Sequence, residues 1–303
     1  MEQIAGRTAF ITGGASGIGL GMARVFAEAG MNVCIADIRE DHLAAAQAEL
    51  AEAGLANRCR FFTLDVTDRQ AYTRVAEEAE AAFGRLHVLC NNAGIGLSRP
   101  LTEAAEEDWD WALEVNLTSI FNGIKAILPK IQQHGEGGHI VNTASMAGIL
   151  QYSGAGIYVT TKFAVVGMSE ALRAELAPHG IGVSAFCPGG VRSNIREYEK
   201  TRPARFQTGG EGAAAGPPPS FKLSEEDRER LGKLTAAPEQ AGAVVLQGIR
   251  DNALYIFTAP EFRPGVEERF DAIRRALGQD EEREQIALGL IPGLVSSPIY
   301  KQG

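Results

Sequence analysis

The chain has 303 residues, 45% of them hydrophobic, enough for one large α/β domain or two small ones with a substantial core. Its net charge is −9 and its basic residues form no long run, which argues against a nucleic-acid or anionic-membrane partner. Cys34, Cys59, Cys90 and Cys187 form no C-x-x-C pair, the start does not resemble a signal peptide, and no apolar stretch is long enough to span a bilayer. Buried thiols in a cytoplasmic protein are therefore expected.

Short apolar runs alternate with longer helical patterns. Strand-like runs fall at residues 8–11, 32–37, 60–65, 86–91, 139–144, 182–187 and 254–258. Helix-like stretches fall at 18–29, 41–53, 68–83, 109–133, 158–176 and 238–250. This rhythm predicts an α/β fold: a parallel sheet of seven strands covered on both faces, doubly wound, in three layers. Ligands are expected at the carboxyl ends of the strands.

The first run leads into residues 12–19, TGGASGIG, with Gly13, Gly17 and Gly19 on a turn that opens a helix near Ile18. Such a turn lets backbone approach a pyrophosphate, and the helix N-terminus offers free N–H groups and a positive dipole end. An ordinary glycine-rich turn is the competing reading, because the spacing is not G-x-G-x-x-G. The second run ends in Asp37, placed to accept hydrogen bonds from adenosine ribose hydroxyls. Its charge repels a 2′-phosphate and favours NAD over NADP. Arg39 works the other way, while neutral Ser16 adds no cation. Asp37 is also a candidate N-cap for the next helix. The third run ends at Asp65-Val66 and the fourth at Asn91-Asn92-Ala93-Gly94. Small residues there let a flat ring lie on backbone, although a ligand-free turn has the same composition.

Asn116 sits between Val115 and Leu117 inside the 109–133 helix, where a polar side chain must bond something. Ser145, ending the fifth run, can hold a substrate oxygen or cap a turn. Tyr158 and Lys162 are four apart on one helix, so phenol and ammonium share a face. A free tyrosine titrates near about 10, and an adjacent cation lowers that value toward useful acid/base chemistry. The loop Pro188-Gly189-Gly190-Val191-Arg192-Ser193 follows the sixth run and can present backbone to a nicotinamide carboxamide. Between 194 and 234 no strand is predicted, and 208–220 reads TGGEGAAAGPPPS. A lid insert is expected over 194–235, with a short charged helix at 223–234. A C-terminal extension spans 260–303, with helical periodicity in Phe262, Val266, Phe270, Ile273 and Leu277. Its apolar tail, 286–299, is expected to wrap over the body or over a partner subunit.

Thr12-Gly13-x-x-x-Gly17-x-Gly19, Asn91-Asn92-Ala93-Gly94, Asn116, Ser145, Tyr158-x-x-x-Lys162 and Pro188-Gly189 occur in the order of the short-chain dehydrogenase/reductase family. The chain resembles that family from about residue 6 to 258. The resemblance implies a Rossmann-type catalytic domain with an Asn116–Ser145–Tyr158–Lys162 tetrad. It implies Tyr158 as general acid/base and Ser145 as the group orienting the substrate oxygen. Lys162 would bind the nicotinamide ribose and relay the proton, Asn116 would hold a relay water, and Asp65, Val66 and Asn92 would lie along adenine and ribose. Ser193 stands where the family often has Thr and keeps the hydroxyl for a carboxamide contact. The resemblance also implies a homodimer or homotetramer paired through the helices at 109–133 and 158–176. The stretches 36–43 and 138–145, with the lid and extension, are similar to bacterial NAD-dependent benzylic-alcohol dehydrogenases that act on the Cα carbinol of lignin-derived β-aryl ethers.

The loop at 146–156, MAGILQYSGAG, mixes small residues with Met146, Ile149, Leu150 and Tyr152. With Ile95, Leu97, Ile195 and Tyr198 it is expected to wall a roomy apolar substrate pocket, unless these side chains simply pack the lid. The expected function is NAD-dependent interconversion of a bulky, ring-bearing secondary alcohol and its ketone, in one dinucleotide-binding domain over 1–303. A hydroxysteroid or other small-carbonyl dehydrogenase, a non-catalytic NAD-binding regulator, and an epimerase or dehydratase are the alternatives. No metal is expected, because the five histidines show no ligand spacing; His87 and His139 are expected to be strand residues.

Overall fold

Seven strands form one all-parallel sheet in the computed structural model, which describes residues 1, 3–207 and 224–301. They are β1 (Thr8–Thr12), β2 (Asn32–Asp37), β3 (Cys59–Thr63), β4 (Val88–Asn91), β5 (Gly138–Thr143), β6 (Ile181–Cys187) and β7 (Tyr255–Phe257), in the order β3-β2-β1-β4-β5-β6-β7. The order reverses between β1 and β4, so the chain leaves their carboxyl ends in opposite directions and opens a crevice there. Every residue of β1, β4 and β5 is buried, as a sheet covered on both faces requires.

The helices are α1 (Gly17–Glu28), α2 (Glu40–Glu52), α3 (Arg69–Phe83), α4 (Glu106–Leu113), α5 (Ser119–His134), α6 (Gly156–Leu176), α7 (Glu225–Gly232), α8 (Pro238–Asp251), α9 (Arg263–Leu277), α10 (Glu281–Leu290) and α11 (Pro292–Val295). Strand alternation sorts them into layers. Ala9 and Ile11 of β1 face the core shared with Met22 and Phe26 of α1, Leu43 and Leu50 of α2, and Val245 and Ile249 of α8. Phe10 between them faces the opposite core, with Tyr72 of α3, Ile127 of α5 and Val165 of α6. The fold is the doubly wound, three-layered Rossmann-type sheet that the alternation predicts.

The predicted helix over 109–133 is not continuous. Residues Glu114–Thr118 form a π-helical turn between α4 and α5. Asn116 lies in this turn, and its side chain bonds the backbone of Ile95. Single π turns inside α-helices often mark functional sites.

The C-terminal extension docks unevenly. Phe262 and Val266 pack on the core, whereas Phe270, Ile273 and Leu277 of α9 are exposed. In the tail, Ile299 is buried and the Tyr300 hydroxyl donates to Glu170 of α6 at 3.0 Å, while Leu290 and Leu294 are exposed. The tail therefore wraps over the body at its end, and α10 and α11 present apolar side chains outward. Of the expected lid, residues 194–207 and α7 are described. The TGGEGAAAGPPPS stretch lies outside the described residues.

Candidate active site

The turn after β1 is built from glycine where nothing else fits. Gly13 and Gly17 have φ of +60° and +49°, the left-handed region. A Cβ on Gly19 would stand 2.0 Å from the Gly13 carbonyl oxygen and 2.8 Å from Asn92 Nδ2. The turn is held from behind. Asn92 donates from Nδ2 to the carbonyls of Thr12 (3.1 Å) and Gly13 (3.3 Å), and the Asn92 and Ala93 amides donate to Thr12 Oγ1. Helix α1 starts at Gly17, with Ser16 as an N-cap that makes no side-chain cap, so the first turn keeps N–H groups facing the crevice.

Asp37 is buried at the end of β2, and it is not the N-cap of α2; Arg39 is. Asp37 Oδ2 accepts from the Ala15 amide at 3.2 Å, and Oδ1 from the Arg39 amide at 3.0 Å. These bonds hold the carboxylate against the glycine turn. Arg39 is not free to recruit a phosphate: its Nε donates to Asp41 at 2.9 Å and its Nη1 lies 3.6 Å from Glu197. Two acids hold the one cation that would have argued for a 2′-phosphate. Asp37→Ala is expected to raise the NAD Kd about 10- to 100-fold, as loss of hydrogen bonds to a charged group does, and to affect NADP much less. Calorimetric titration with both dinucleotides checks this; equal losses would contradict it.

One crevice of about 580 Å³ runs from this corner to α6. Its lining brings together Gly13, Ser16, Gly17, Ile18, Asp37, Asp65, Val66, Asn92, Gly94, Ser145, Tyr158, Lys162, Pro188, Gly189, Val191 and Ser193. Gly19 stands behind the turn rather than in the lining. The glycine cradle, the acid at the end of β2 and the length of the cleft fit a dinucleotide, and Tyr158 and Lys162 stand at the other end from Asp37.

At the far end, Lys162 is buried and donates from Nζ to the Thr143 carbonyl at 2.9 Å. It stands 5.5 Å from the centre of the Tyr158 ring, as their four-residue spacing requires. The neighbouring Ser145 hydroxyl favours the Tyr158 phenolate, and Ser145 accepts from the Ala147 amide at 3.1 Å. The expected lowering of the tyrosine is not what the environment gives. Burial pushes Tyr158 up to about 12, against the effect of Ser145. Burial also pulls Lys162 down to about 8. Desolvation outweighs the help of Ser145 at Tyr158 and that of Cys187 at Lys162.

Asn116 does not line the crevice. Its Oδ1 accepts from the Ile95 amide at 2.8 Å, and its Nδ2 donates to the Ile95 carbonyl at 3.0 Å and to Thr161 Oγ1 at 3.3 Å. It clamps the chain after β4 against α6, so the described bonds make it a positioning residue. Behind it runs a buried polar chain that sequence reading missed: Tyr72 to Asn91, Asn91 to Asn142, Asn142 to Ser169. Each member is an unremarkable polar residue in its own segment, and only the strand register of β4 and β5 brings them together.

The expected substrate wall divides. Ile95, Ile195 and Tyr198 line the crevice. Leu97, Met146 and Ile149 do not: Leu97 packs with Trp111 and Ile157, and Met146 and Ile149 are buried in the core on the α5–α6 face of the sheet. Tyr152 is outside the lining but close enough to oppose ionisation of Tyr158. Trp111 and Val115, which sequence reading passed over, also belong to the lining.

Among the described residues, His87, His134 and Glu136 bring three metal-ligating atoms together. All four ring nitrogens are already engaged: His87 with the Thr8 amide and Glu136, His134 with the Leu86 carbonyl and the Glu136 amide. Glu136 also pairs with Arg7 and Arg85. The cluster is a salt-bridged edge of the sheet, remote from the crevice. No described helix is long and apolar enough to cross a membrane.

A family model described as short chain dehydrogenase matches residues 7–204. The chain is 37% identical over 277 residues to a C alpha-dehydrogenase of Sphingobium sp. SYK-6, covering 90% of this chain and 87% of the relative. It is 37% identical over 215 residues to a 3beta-hydroxysteroid dehydrogenase of Eggerthella lenta, covering 69% and 82%. A short chain dehydrogenase/reductase from Burkholderia phymatum, solved in complex with NAD, superposes with a TM-score of 0.79 at 31% identity, covering 91% of this chain and 97% of that one.

Proposed function

The chain belongs to the short-chain dehydrogenase family, and from that premise we propose that it interconverts a ring-bearing secondary alcohol, benzylic in the first instance, and its ketone with NAD. The observation that carries this is the single crevice with the glycine turn and Asp37 at one end and Ser145, Tyr158 and Lys162 at the other. The names of the relatives support the substrate class: one is a C alpha-dehydrogenase, and one a 3beta-hydroxysteroid dehydrogenase, whose name specifies a hydroxyl on a ring-bearing molecule. A non-catalytic regulator is disfavoured because the tyrosine and lysine are both kept and both line one cleft.

The turn at residues 12–19 would receive the pyrophosphate, Asp37 the adenosine ribose and Lys162 the nicotinamide ribose. The bound nicotinamide supplies the two-electron acceptor for alcohol oxidation. The protein's own part is proton movement and aim. Tyr158 takes the proton from the substrate hydroxyl as the carbon is oxidised, and returns it to the oxygen in the reverse direction. Ser145, beside Tyr158 in the crevice lining, holds the same substrate oxygen. Asn116 keeps residues 94–95 against α6, so the floor of the site does not shift.

The pH dependence has a definite sign. Oxidation needs Tyr158 without its proton, and burial raises its affinity for that proton. The rate of oxidation is therefore expected to climb with pH throughout about 7 to 10, below the phenol's midpoint, while ketone reduction, which needs the protonated phenol, holds level over the same range. Because Tyr158 and Lys162 share the site, the midpoint belongs to the pair. Initial rates in both directions across this range test the assignment; oxidation that falls as pH rises would remove Tyr158 from the role of base.

We read residues 1–303 as one catalytic domain, with 194–235 as a lid and 260–303 as an extension over α6. Asn194, Ile195, Tyr198, Thr201 and Pro203 of that lid line the crevice, which supports the reading. The buried free thiols suit a cytoplasmic enzyme. A homodimer or homotetramer through α5 and α6 fits the exposed Phe121 on α5. Turnover of a panel of benzylic, steroid and small aliphatic alcohols with NAD and with NADP tests the proposal. Activity confined to small aliphatic alcohols would overturn its substrate class.

A further inference from the structure

Residues 194–206 cross the mouth of the crevice and are tethered to the body by three ion pairs. Glu197 meets Arg39 at 3.6 Å and Arg205 meets Glu114 at 2.7 Å, each pair joining an exposed side chain to a half-buried one. The third tether is buried: the side chains of Asp108 on α4 and Arg202 are 2% and 6% exposed. Exposed pairs contribute little, whereas opening one side of a buried pair leaves an uncompensated charge. The clasp is fully subscribed. Asp108 takes Arg202 on Oδ1 and Arg99 Nε on Oδ2, the latter at 2.7 Å. Arg202 also donates from Nε to the Phe206 carbonyl at 2.7 Å and from Nη1 to Glu199 at 3.1 Å.

The clasp is joined to the substrate end of the crevice. Asp108 and Trp111 are three apart on α4 and share a face. The Arg202 guanidinium lies 4.8 Å from the centre of the Trp111 ring, and the ring of Tyr198 meets Trp111 edge-on at 5.8 Å. Trp111 and Tyr198 both line the crevice, though Trp111 is only 1% exposed and so serves as the backing for Tyr198. Loss of Asp108 would release Arg202, the Trp111 stack and the segment that carries Tyr198 together.

We infer that Asp108 is a positioning residue for the aromatic wall of the substrate site, which favours a ring-bearing alcohol over a small one; this rests on the alcohol-dehydrogenase reading above. The clasp acts through shape, not through the reacting atoms. Its effect falls on KM for ring-bearing substrates and not on the proton step.

The test is Asp108→Asn, which keeps size and removes the charge. The ratio of kcat/KM for 1-phenylethanol to that for 2-butanol is expected to fall about tenfold, through KM for the aromatic alcohol with its kcat retained. A ratio unchanged from wild type, or a loss carried by kcat alike for both alcohols, would overturn the inference. A second readout does not depend on turnover. The sequence has two tryptophans, Trp109 and Trp111, so Trp109→Phe leaves Trp111 as the sole reporter. In that background Asp108→Asn is expected to increase acrylamide quenching of Trp111 several-fold; unchanged quenching would overturn the clasp. If wild type oxidises neither alcohol, the functional reading fails, and quenching alone decides whether the clasp exists. Should Asp108→Asn not fold, Arg202→Lys keeps a cation beside Asp108 and loses the planar stack. It is expected to shift the same two readouts in the same direction by a smaller factor, and no shift in either would count against the inference.

Discussion

Tyr158→Phe is expected to lower kcat for alcohol oxidation about 1,000-fold while leaving NAD binding within about twofold of wild type. The substitution removes one oxygen from a ring that is otherwise held by packing on α6, so the crevice keeps its shape. What is lost is the acceptor of the substrate proton. Positioned acid/base groups contribute factors of roughly 10² to 10⁴, and no second group in the crevice replaces this one. Ser145 is a hydroxyl engaged with the Ala147 amide, and Lys162 is a cation bonded to the Thr143 carbonyl. Steady-state rates with 1-phenylethanol, alongside calorimetric NAD titration, check the prediction. Retained turnover would remove Tyr158 from the chemistry, and lost NAD binding would make its role structural.

The second large effect is expected at the opposite end of the crevice. Gly19→Ala should weaken NAD about 100-fold or more. A Cβ at this position would stand 2.0 Å from the Gly13 carbonyl oxygen, closer than any contact allows, and 2.8 Å from Asn92 Nδ2. Gly13 cannot yield freely, because its carbonyl and that of Thr12 are both held by Asn92. The turn must open, and the N–H groups at the start of α1 then no longer converge on one anion. Each hydrogen bond to a charged group lost this way removes about 1.5–3 kcal/mol, so two such losses account for the factor. Alanine is the better helix former by about 1 kcal/mol, which offsets part of the strain in α1 itself. NAD titration with a parallel thermal melt separates the two effects. A Kd within twofold of wild type in a folded variant would mean that the dinucleotide does not sit on this turn.

Local chemistry made much of this legible before the fold was seen. The glycine turn, Asp37, Ser145 and the Tyr158–Lys162 pair are short-range patterns, each placed by the strand or helix it terminates. Their meeting in one crevice follows from a parallel sheet whose strand ends share an edge. The misreadings have the opposite origin. The 109–133 stretch has continuous helical character, and the π turn falls where Asn116 bonds Ile95, 21 residues away in sequence. Met146, Ile149 and Leu97 have the composition of a pocket wall, but an apolar side chain looks the same in sequence whether it lines a cleft or fills the core behind it. Asp108 and Arg202 carried no signal at all. They are 94 residues apart, and each is an ordinary charged residue among other charges. The tyrosine's proton affinity was misjudged for a related reason: the spacing to Lys162 shows the attraction, while desolvation depends on everything packed around the pair.

A crystal structure of the ternary complex with NAD and a ring-bearing alcohol or its ketone would test the central claim most directly. The pyrophosphate is predicted to rest on residues 12–19 with the adenosine ribose at Asp37, and the substrate oxygen to lie within hydrogen-bond distance of both Tyr158 Oη and Ser145 Oγ. A dinucleotide seated elsewhere, or a Tyr158 hydroxyl directed away from the substrate oxygen, would contradict the account.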